Sequence, residues 1–348
     1  MAMHLPMLKP DFAYWWFHPP KTGSSFRNTL LELPWSRDRD RTWPHGNHQV
    51  LFPDIAGRMT TPNVRVVAMF RQPESRLLSS YFHMRDWVKV PQRRKGYSGY
   101  RQPLGGTVGC CWEDWGWPAS EYRPVHQNVI NGVPPEQSGI NRFHGCQTNM
   151  VLGKGCMSRF ANTPAQVAQA IALVDKFEFV GDQKYWNLSI CLFNTIVTGR
   201  RHTLSYQLTN TRPTTSKRLK LRRATPANTQ LTPSEQAAAA HQEAALSRLN
   251  TTDPIDGALY AYASYRFSHD LRRYGVSDEC CPNFDRVEQI PPQSSEPARC
   301  ALPRQPPTVP SSAAATRAHM SAWRGARSAG KTLRSPAARQ RRVGVQSG

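Results

Sequence analysis

The sequence predicts an α/β protein with a central parallel sheet flanked by helices, and two observations carry this prediction. Within residues 13–88 the order strand, loop, helix occurs twice, which is typical of doubly wound α/β folds. The segment NVRVVAMFR, residues 63–71, is a continuous apolar run between Pro62 and Pro73. Such a run is typical of a strand that a parallel sheet buries on both faces.

The first predicted unit is the aromatic segment AYWWFH, residues 13–18, followed by two prolines and a lysine. Proline cannot extend a strand ladder, so the strand is expected to end at Pro19. Ser24 or Ser25 can then cap a helix that begins with SFRNTLLEL. A second strand is predicted at HQVLF, residues 48–52.

The rest of the body continues the same alternation. A helix is predicted to begin at Pro73, and residues 88–140, rich in Gly, Pro, Trp and Tyr, are predicted to form a long surface insertion. Residues 200–228 are predicted to be a polar, basic loop. Further elements are predicted at 164–177 (helix), 177–181 (strand), 186–197 (helix), 232–249 (helix) and 253–275 (helix).

Charge and composition divide the chain into a predicted folded body at 1–285 and a disordered basic tail at 286–348. The tail holds 11 Lys and Arg against 2 Asp and Glu, so more than half of the net charge of +21 lies in the body. A folded body this basic is expected to attract polyanions. We expect no membrane span in this chain, and any membrane association would come from a segment outside it.

The eight cysteines lack the paired CxxC spacing of zinc sites, so no metal is expected. Their even number and two vicinal pairs are compatible with disulfides in an oxidising compartment, and buried free thiols are the alternative. They are Cys110, Cys111, Cys146, Cys156, Cys191, Cys280, Cys281 and Cys300.

The loop after the first strand has the composition of an anion cradle. Gly23 allows close approach of the backbone, and a helix N-terminus behind the loop favours negative charge. A capped strand–helix turn with a surface lysine is the alternative. The candidate donors to a phosphate are Lys21, Thr22, Gly23, Ser24, Ser25 and Phe26.

A second anion-binding group is predicted at the end of the buried strand. Arg71 follows that strand, and Ser79 lies two helical turns into the next helix. The carboxyl ends of parallel strands meet at one edge of a sheet, where open α/β folds bind their ligands. Two such loops predict a ligand with phosphates at two ends.

Five collinear segments resemble the Golgi carbohydrate sulfotransferases, which take their sulfuryl group from PAPS (3′-phosphoadenosine 5′-phosphosulfate). PKTGSSF resembles their 5′-phosphosulfate loop, and RQPESRLLSSYFH resembles their 3′-phosphate strand and helix. NRFHGCQTNMVLG resembles their N-x-Q-T-x-x-L-x-G element at Gln147, Thr148, Leu152 and Gly153. FEFVGDQKYWNLSICLF and DGALYAYASYRF resemble their later F-V-G segment and closing helix.

The resemblance implies a P-loop-NTPase-like three-layer fold, a Golgi location and sulfation of a glycan hydroxyl, without a metal. Lys21 would stabilise charge on the leaving phosphate, and a histidine would take the proton of the acceptor hydroxyl. His48 is the preferred base because it resembles the family's G-H-x-x-F arrangement; His45 and Glu32 are the other candidates. The acceptor is expected to be a glycan, which a basic cleft would suit if the glycan is anionic.

One departure from the family pattern leaves a second reading open. Gln183 and Lys184 stand where a glutamate is usual, so a catalytically impaired sulfotransferase-like protein is an alternative. A basic nucleic-acid-binding protein is another, supported by a pI near 10.1. That alternative leaves the two loops unexplained, and no specific nucleic-acid partner is expected. A metal-dependent phosphate-transfer enzyme is disfavoured because no lysine follows the glycine as in GxxxxGK[ST].

Overall fold

The computed structural model describes residues 13–23, 26, 29, 59–87, 119–156, 163–208, 244, 246–247, 249, 252–291 and 300. Several predictions fall outside these residues: the strand at 48–52, the cap of the 232–249 helix, and nearly all of the 286–348 tail. Among the site candidates, the residues outside the described part are Ser24, Ser25, Glu32, His45 and His48.

A three-stranded parallel sheet forms the centre of the described structure. Its strands are β1 (Ala13–Phe17), β2 (Val64–Phe70) and β3 (Phe179–Asp182), in the order β1-β2-β3. The register pairs Phe17 with Ala68, and Phe70 with Asp182. All three carboxyl ends therefore lie at one edge of the sheet. The predicted α/β class and its parallel sheet are confirmed.

Both faces of the sheet are buried, as the apolar run of β2 predicts. Val66 and Ala68 belong to one hydrophobic cluster, and Val67 and Met69 belong to another, because successive side chains of a strand point to opposite faces. Gly181 is required in β3, since a Cβ there would lie 2.3 Å from the Met69 sulfur.

Six helices longer than one turn are found in the described part of the chain. They are α1 (Pro73–Trp87), α2 (Ala119–Ile130), α3 (Cys146–Val151), α4 (Pro164–Val174), α5 (Trp186–Thr198) and α6 (Pro254–Arg273). Four of them, α1, α4, α5 and α6, lie where the sequence predicts helices. A capping box formed by Thr163 and Gln166 begins α4. Short 3₁₀ turns occur at Ile140–Phe143, Gln183–Tyr185, Asp278–Cys280 and Val287–Gln289.

The prediction of an aperiodic surface insertion at 88–140 is wrong for its C-terminal part. Residues 119–130 form α2, whose Val125 and Val129 are buried in the same cluster as Val66. These two valines are four residues apart and share one helix face, but Pro124 inside the helix conceals this pattern. Packing against the core stabilises a helix that local propensity disfavours.

The predicted polar loop at 200–228 also begins differently. Residues 203–204 form β4 (Thr203–Leu204), which pairs in parallel with β5 (Asn283–Phe284). Gln207 is buried, and its amide exchanges hydrogen bonds with the Asn194 side chain on α5. Residues 201–204 and Gln207 are therefore buried although the segment is polar, and the Gln207 amide is satisfied by its hydrogen bonds to Asn194.

Three disulfides join cysteines of the described structure: Cys146–Cys156, Cys191–Cys281 and Cys280–Cys300. Between the two alternatives for these six residues, disulfides rather than free thiols are found. In the vicinal pair Cys280 and Cys281, Cys281 is bonded to Cys191 of α5, and Cys280 is bonded to the buried Cys300. Position 300, in the predicted tail, is thus attached to the body. None of the described helices combines the length and apolar character needed to cross a membrane.

Candidate functional site

The loop after β1 adopts a backbone that few side chains tolerate. Lys21 has φ 68° and Gly23 has φ 117°, both in the region that disfavours residues with a Cβ. A Cβ on Gly23 would lie 2.9 Å from Cζ3 of Trp186 at the start of α5. The loop therefore packs closely on the segment that follows β3, and only glycine fits at its tip.

Two of the donors predicted to bind a phosphate are used inside the loop instead. The Thr22 side chain is fully buried, and its Oγ1 and backbone N–H both donate to the Pro19 carbonyl, at 2.6 and 3.3 Å. The Phe26 N–H donates to the Gly23 carbonyl at 2.9 Å, and the Phe26 ring packs among Trp16, Phe179 and Phe193. Thr22 and Phe26 thus shape the loop rather than present their hydroxyl or N–H to a ligand. Both Phe26 and Thr29 are helical, as the predicted helix requires.

Arg71 joins the two predicted anion-binding loops. Its Nη1 donates to the Lys21 carbonyl at 3.2 Å, across 50 residues of sequence. Lys21 and Arg71 are both half-buried. The loops that follow β1 and β2 therefore meet at one edge of the sheet, where open α/β folds bind their ligands. That this edge binds a doubly anionic ligand stays a prediction.

The backbone of Arg71 is held by a glutamine from α3. The Arg71 N–H donates to Gln147 Oε1 at 3.1 Å, and Gln147 Nε2 donates to the Arg71 carbonyl at 2.9 Å. Arg71 lies one residue beyond the end of β2, where the sheet no longer supplies partners. The primary amide has one acceptor and one donor in the right places, so it replaces a strand at this position.

Two carboxylates of α6 in turn hold the start of α3. Asp256 accepts from the N–H groups of Gln147 and Thr148, at 3.0 and 2.8 Å, and Asp253 accepts from the Gly145 N–H at 2.8 Å. Asp256 also lies 3.7 Å from Nη2 of Arg76, and both side chains are fully buried. The carboxylates satisfy the N–H groups that a helix start leaves unpaired.

Burial dominates the electrostatics of this cluster. It raises the pKa of Asp253 to about 8, and the neighbouring charge of Asp256 adds to that effect. Burial and the nearby Arg76 lower the pKa of His144. The cluster therefore holds the carboxyl groups of Asp253 and Asp256 and the guanidinium of Arg76 together, away from water.

The third strand ends in a buried carboxyl group. Asp182 accepts from the Tyr260 hydroxyl at 2.8 Å, the Ser264 hydroxyl at 3.0 Å and the Lys184 N–H at 2.9 Å. Burial raises the pKa of Asp182, and these hydrogen bonds oppose the rise. A carboxyl group thus stands directly after Gly181, two positions before the place at which the family pattern has its glutamate.

The predicted site residues fall into four groups, one of which, Thr22 with Phe26, is used inside the loop itself. Lys21, Gly23 and Arg71 come together at the sheet edge. Ser79 lies half-buried on α1, two turns beyond Arg71. The last group lies outside the described residues and consists of Ser24, Ser25, Glu32, His45 and His48. The assignment of His48, His45 or Glu32 as the base therefore stays a prediction.

Sequence reasoning left Gln147 and Asp182 without a role. Gln147 lies in a segment already noted for its resemblance, but its contact with Arg71 spans 76 residues and leaves no local signal. Asp182 could be identified, because a carboxylate immediately after a buried strand lies at the ligand-binding edge.

Chemically, the edge offers cations and no metal-binding group: within the described ranges, no three His, Cys, Asp or Glu side chains converge. The arrangement can hold an anion, and charge stabilisation is the chemistry that its side chains supply. None of the family models, curated proteins or solved structures compared with this chain matches it.

Proposed function

We propose that this protein transfers the sulfuryl group of PAPS to a hydroxyl of a glycan. The observation that carries the proposal is the hydrogen bond between the Arg71 guanidinium and the Lys21 carbonyl, 3.2 Å long. It unites the two loops that resemble the phosphate-binding elements of glycan sulfotransferases. The finer fold that accompanies this proposal is the P-loop-NTPase-like three-layer arrangement.

The loop residues suit such a donor. Gly23 has no side chain between the loop backbone and an approaching oxyanion, and its φ of 117° favours glycine. The cations Lys21 and Arg71 match the negative charge of two phosphate groups. Strained lysine backbone, φ 68°, is the kind of local conformation that functional sites retain when their surroundings impose it.

Bound PAPS would supply the sulfuryl group and leave as 3′,5′-ADP. Lys21 would stabilise the negative charge that develops on the leaving phosphate oxygen, and Arg71 would bind the second phosphate. His48 would accept the proton of the acceptor hydroxyl while the oxygen forms its bond to sulfur, with His45 and Glu32 as the other candidates. Orientation and charge stabilisation account for most of the rate in such in-line transfers.

The disulfides support the cellular setting of the proposal. Three of them occur in the described structure, and disulfides persist in oxidising compartments such as the secretory pathway. A Golgi location and a glycan acceptor follow from the resemblance, and the net charge of +21 suits an anionic glycan.

The first test is binding of 3′,5′-ADP, followed by transfer of labelled sulfate from PAPS to a panel of glycans. We expect 3′,5′-ADP to raise the Tm of the parent by several degrees, and Lys21→Ala and His48→Ala to lower the rate at least a hundredfold. Gln127→Ala is the matched control, because Gln127 is an exposed residue of α2 whose amide binds only Asn131 in the described structure. An unchanged rate in Lys21→Ala would refute the assignment.

A catalytically impaired relative is the second candidate, favoured by Gln183 and Lys184 in place of the usual glutamate. It predicts that 3′,5′-ADP binds and that no glycan is sulfated. A nucleic-acid-binding protein, the remaining alternative, predicts no response to 3′,5′-ADP and salt-dependent binding of oligonucleotides.

A further inference from the structure

We infer that Gln147 is a positioning residue of the anion-binding edge: it fixes the backbone of Arg71 so that the guanidinium holds the Lys21 loop in its binding conformation. The inference rests on the proposed function, because the edge is taken to bind a phosphorylated ligand. Its basis is the pair of hydrogen bonds between the Gln147 amide and both backbone groups of Arg71, at 3.1 and 2.9 Å.

Arg71 needs this support because it lies in the short connection between β2 and α1. Residues 64–68 pair with β1, residues 67–70 pair with β3, and α1 begins at Pro73. Arg71 and Gln72 alone connect the two elements. A small rotation of the Arg71 backbone would displace the guanidinium, at the end of a long side chain, by more than a hydrogen bond tolerates.

Gln147 can fix Arg71 because Gln147 is itself immobilised. Its side chain is fully buried, and its own N–H donates to Asp256 at 3.0 Å. Asp256 is held by Thr148 Oγ1 at 2.9 Å and stands in the first turn of the long helix α6. A continuous set of hydrogen bonds therefore runs from α6 through Gln147 and Arg71 to the Lys21 carbonyl.

A primary amide has the required donor and acceptor at every pH. Glutamate accepts from the Arg71 N–H but, when ionised, cannot donate to the carbonyl; a protonated glutamic acid regains one donor and one acceptor. Leucine has neither group. The pair Gln147→Glu and Gln147→Leu therefore separates the hydrogen-bonding pattern from the space that the side chain fills.

The experiment measures binding of 3′,5′-ADP and of inorganic pyrophosphate to the full chain by calorimetry between pH 5 and pH 8. Each variant is compared with the parent at the same pH, because Asp253, Asp256, Arg76 and His144 lie around this position and are present in all variants. We expect Gln147→Leu to weaken binding at least tenfold at every pH. Gln147→Glu should match that loss at pH 8 and recover most of it at pH 5.

Thr195→Val is the structural control. Thr195 is buried on α5, and its hydroxyl donates to the Cys191 carbonyl of the same helix at 2.7 Å, so it takes no part in the hydrogen bonds that lead to Arg71. This variant should lower the Tm and leave both dissociation constants within twofold. A loss of affinity in Thr195→Val equal to that of Gln147→Leu, or parent-like affinity in a folded Gln147→Leu, would overturn the inference.

A double-mutant cycle completes the test and does not depend on how stable each variant is. In the Arg71→Ala background, Gln147→Glu at pH 8 should cause no further loss of affinity, because the guanidinium that it positions is gone. Additive losses would overturn the inference. Non-additive losses with pyrophosphate, in a parent that ignores 3′,5′-ADP, would refute the proposed function and leave the positioning role standing; a parent that binds neither probe refutes both.

Discussion

Arg71 and Arg76 lie five residues apart and occupy two different kinds of site. Arg71 is half-buried at the sheet edge, where its guanidinium donates to a backbone carbonyl, that of Lys21. Arg76, one turn into α1, is fully buried and lies 3.7 Å from the Asp256 carboxylate, with a further hydrogen bond to the Phe143 carbonyl. The first arginine lies at the edge for which we propose ligand binding, and the second is paired with a carboxylate inside the protein.

The difference shows how one short segment places one arginine at a partly exposed edge and another in the interior. A buried guanidinium is tolerated only when a carboxylate accompanies it, because isolated charges are costly to remove from water. A guanidinium at the edge keeps partial contact with solvent, and its charge can act on a ligand. The two arginines are connected by the ion pair of Arg76 with Asp256 and by the hydrogen bonds from Asp256 through Gln147 to Arg71.

The largest effect is expected for Asp256→Asn, which removes the charge that accompanies Arg76. We expect it to lower the free energy of unfolding by about 3–5 kcal/mol, because it leaves a fully buried guanidinium without its carboxylate. Urea denaturation under oxidising conditions measures this. Asp285→Asn, at an exposed position, should cost less than about 1 kcal/mol. Equal losses in the two variants would contradict the structural role assigned to the Arg76 pair.

The next effect separates the two arginines directly. Arg71→Ala should weaken 3′,5′-ADP binding by about 1.5–3 kcal/mol, the value of a charge-assisted hydrogen bond, and change stability little. Arg76→Met should lower the free energy of unfolding and change 3′,5′-ADP binding little. The substitution leaves the buried Asp256 carboxylate without its guanidinium partner. Calorimetry for binding and urea denaturation for stability make the comparison. If both variants lost affinity and stability to the same extent, the distinction between the two arginines would be wrong.

The smallest effect is a pH dependence that originates in the buried cluster. Burial, with the charge of Asp256, raises the pKa of Asp253 to about 8 from an ordinary value of 3.8, so the folded protein keeps a proton that the unfolded chain has lost. The free energy of unfolding should therefore fall as the pH rises between these values and level off above about 8.

Asp253→Asn is the variant that isolates this contribution, because its amide resembles the protonated carboxyl group. Denaturation from pH 5 to pH 9 should show a shallower decline in Asp253→Asn than in the parent. Parallel curves for the two proteins would show that Asp253 does not hold a proton in the folded state.

Much of the fold could be predicted from the sequence because its signals are local. The apolar run of β2, the prolines after β1 and the amphipathic pattern of α4 each lie within one window of about ten residues. The helix α2 was missed because Pro124 disrupts its local signal, and β4 because two residues have no period. Both elements depend on packing with distant parts of the chain.

The candidate site divides in the same way. Lys21, Gly23 and Arg71 could be named because loops after parallel strands meet at one edge. The inward orientation of the Thr22 hydroxyl could not be predicted, because it depends on the hydrogen bond that the hydroxyl donates to the Pro19 carbonyl across the turn. The position of His48 relative to these residues stays a prediction.

By itself, the sequence determined the parallel sheet, the order of its strands along the chain and the cationic residues at their carboxyl ends, because each follows from short-range pattern and from the geometry common to such sheets. Only the tertiary structure decided which charges are neutralised and which act at the edge. Asp256 reaches Gln147 across 109 residues, and Gln147 reaches Arg71 across 76, so these contacts exist only after the helices have packed. Buried polar groups must find partners wherever the fold brings them, and no local pattern records that choice.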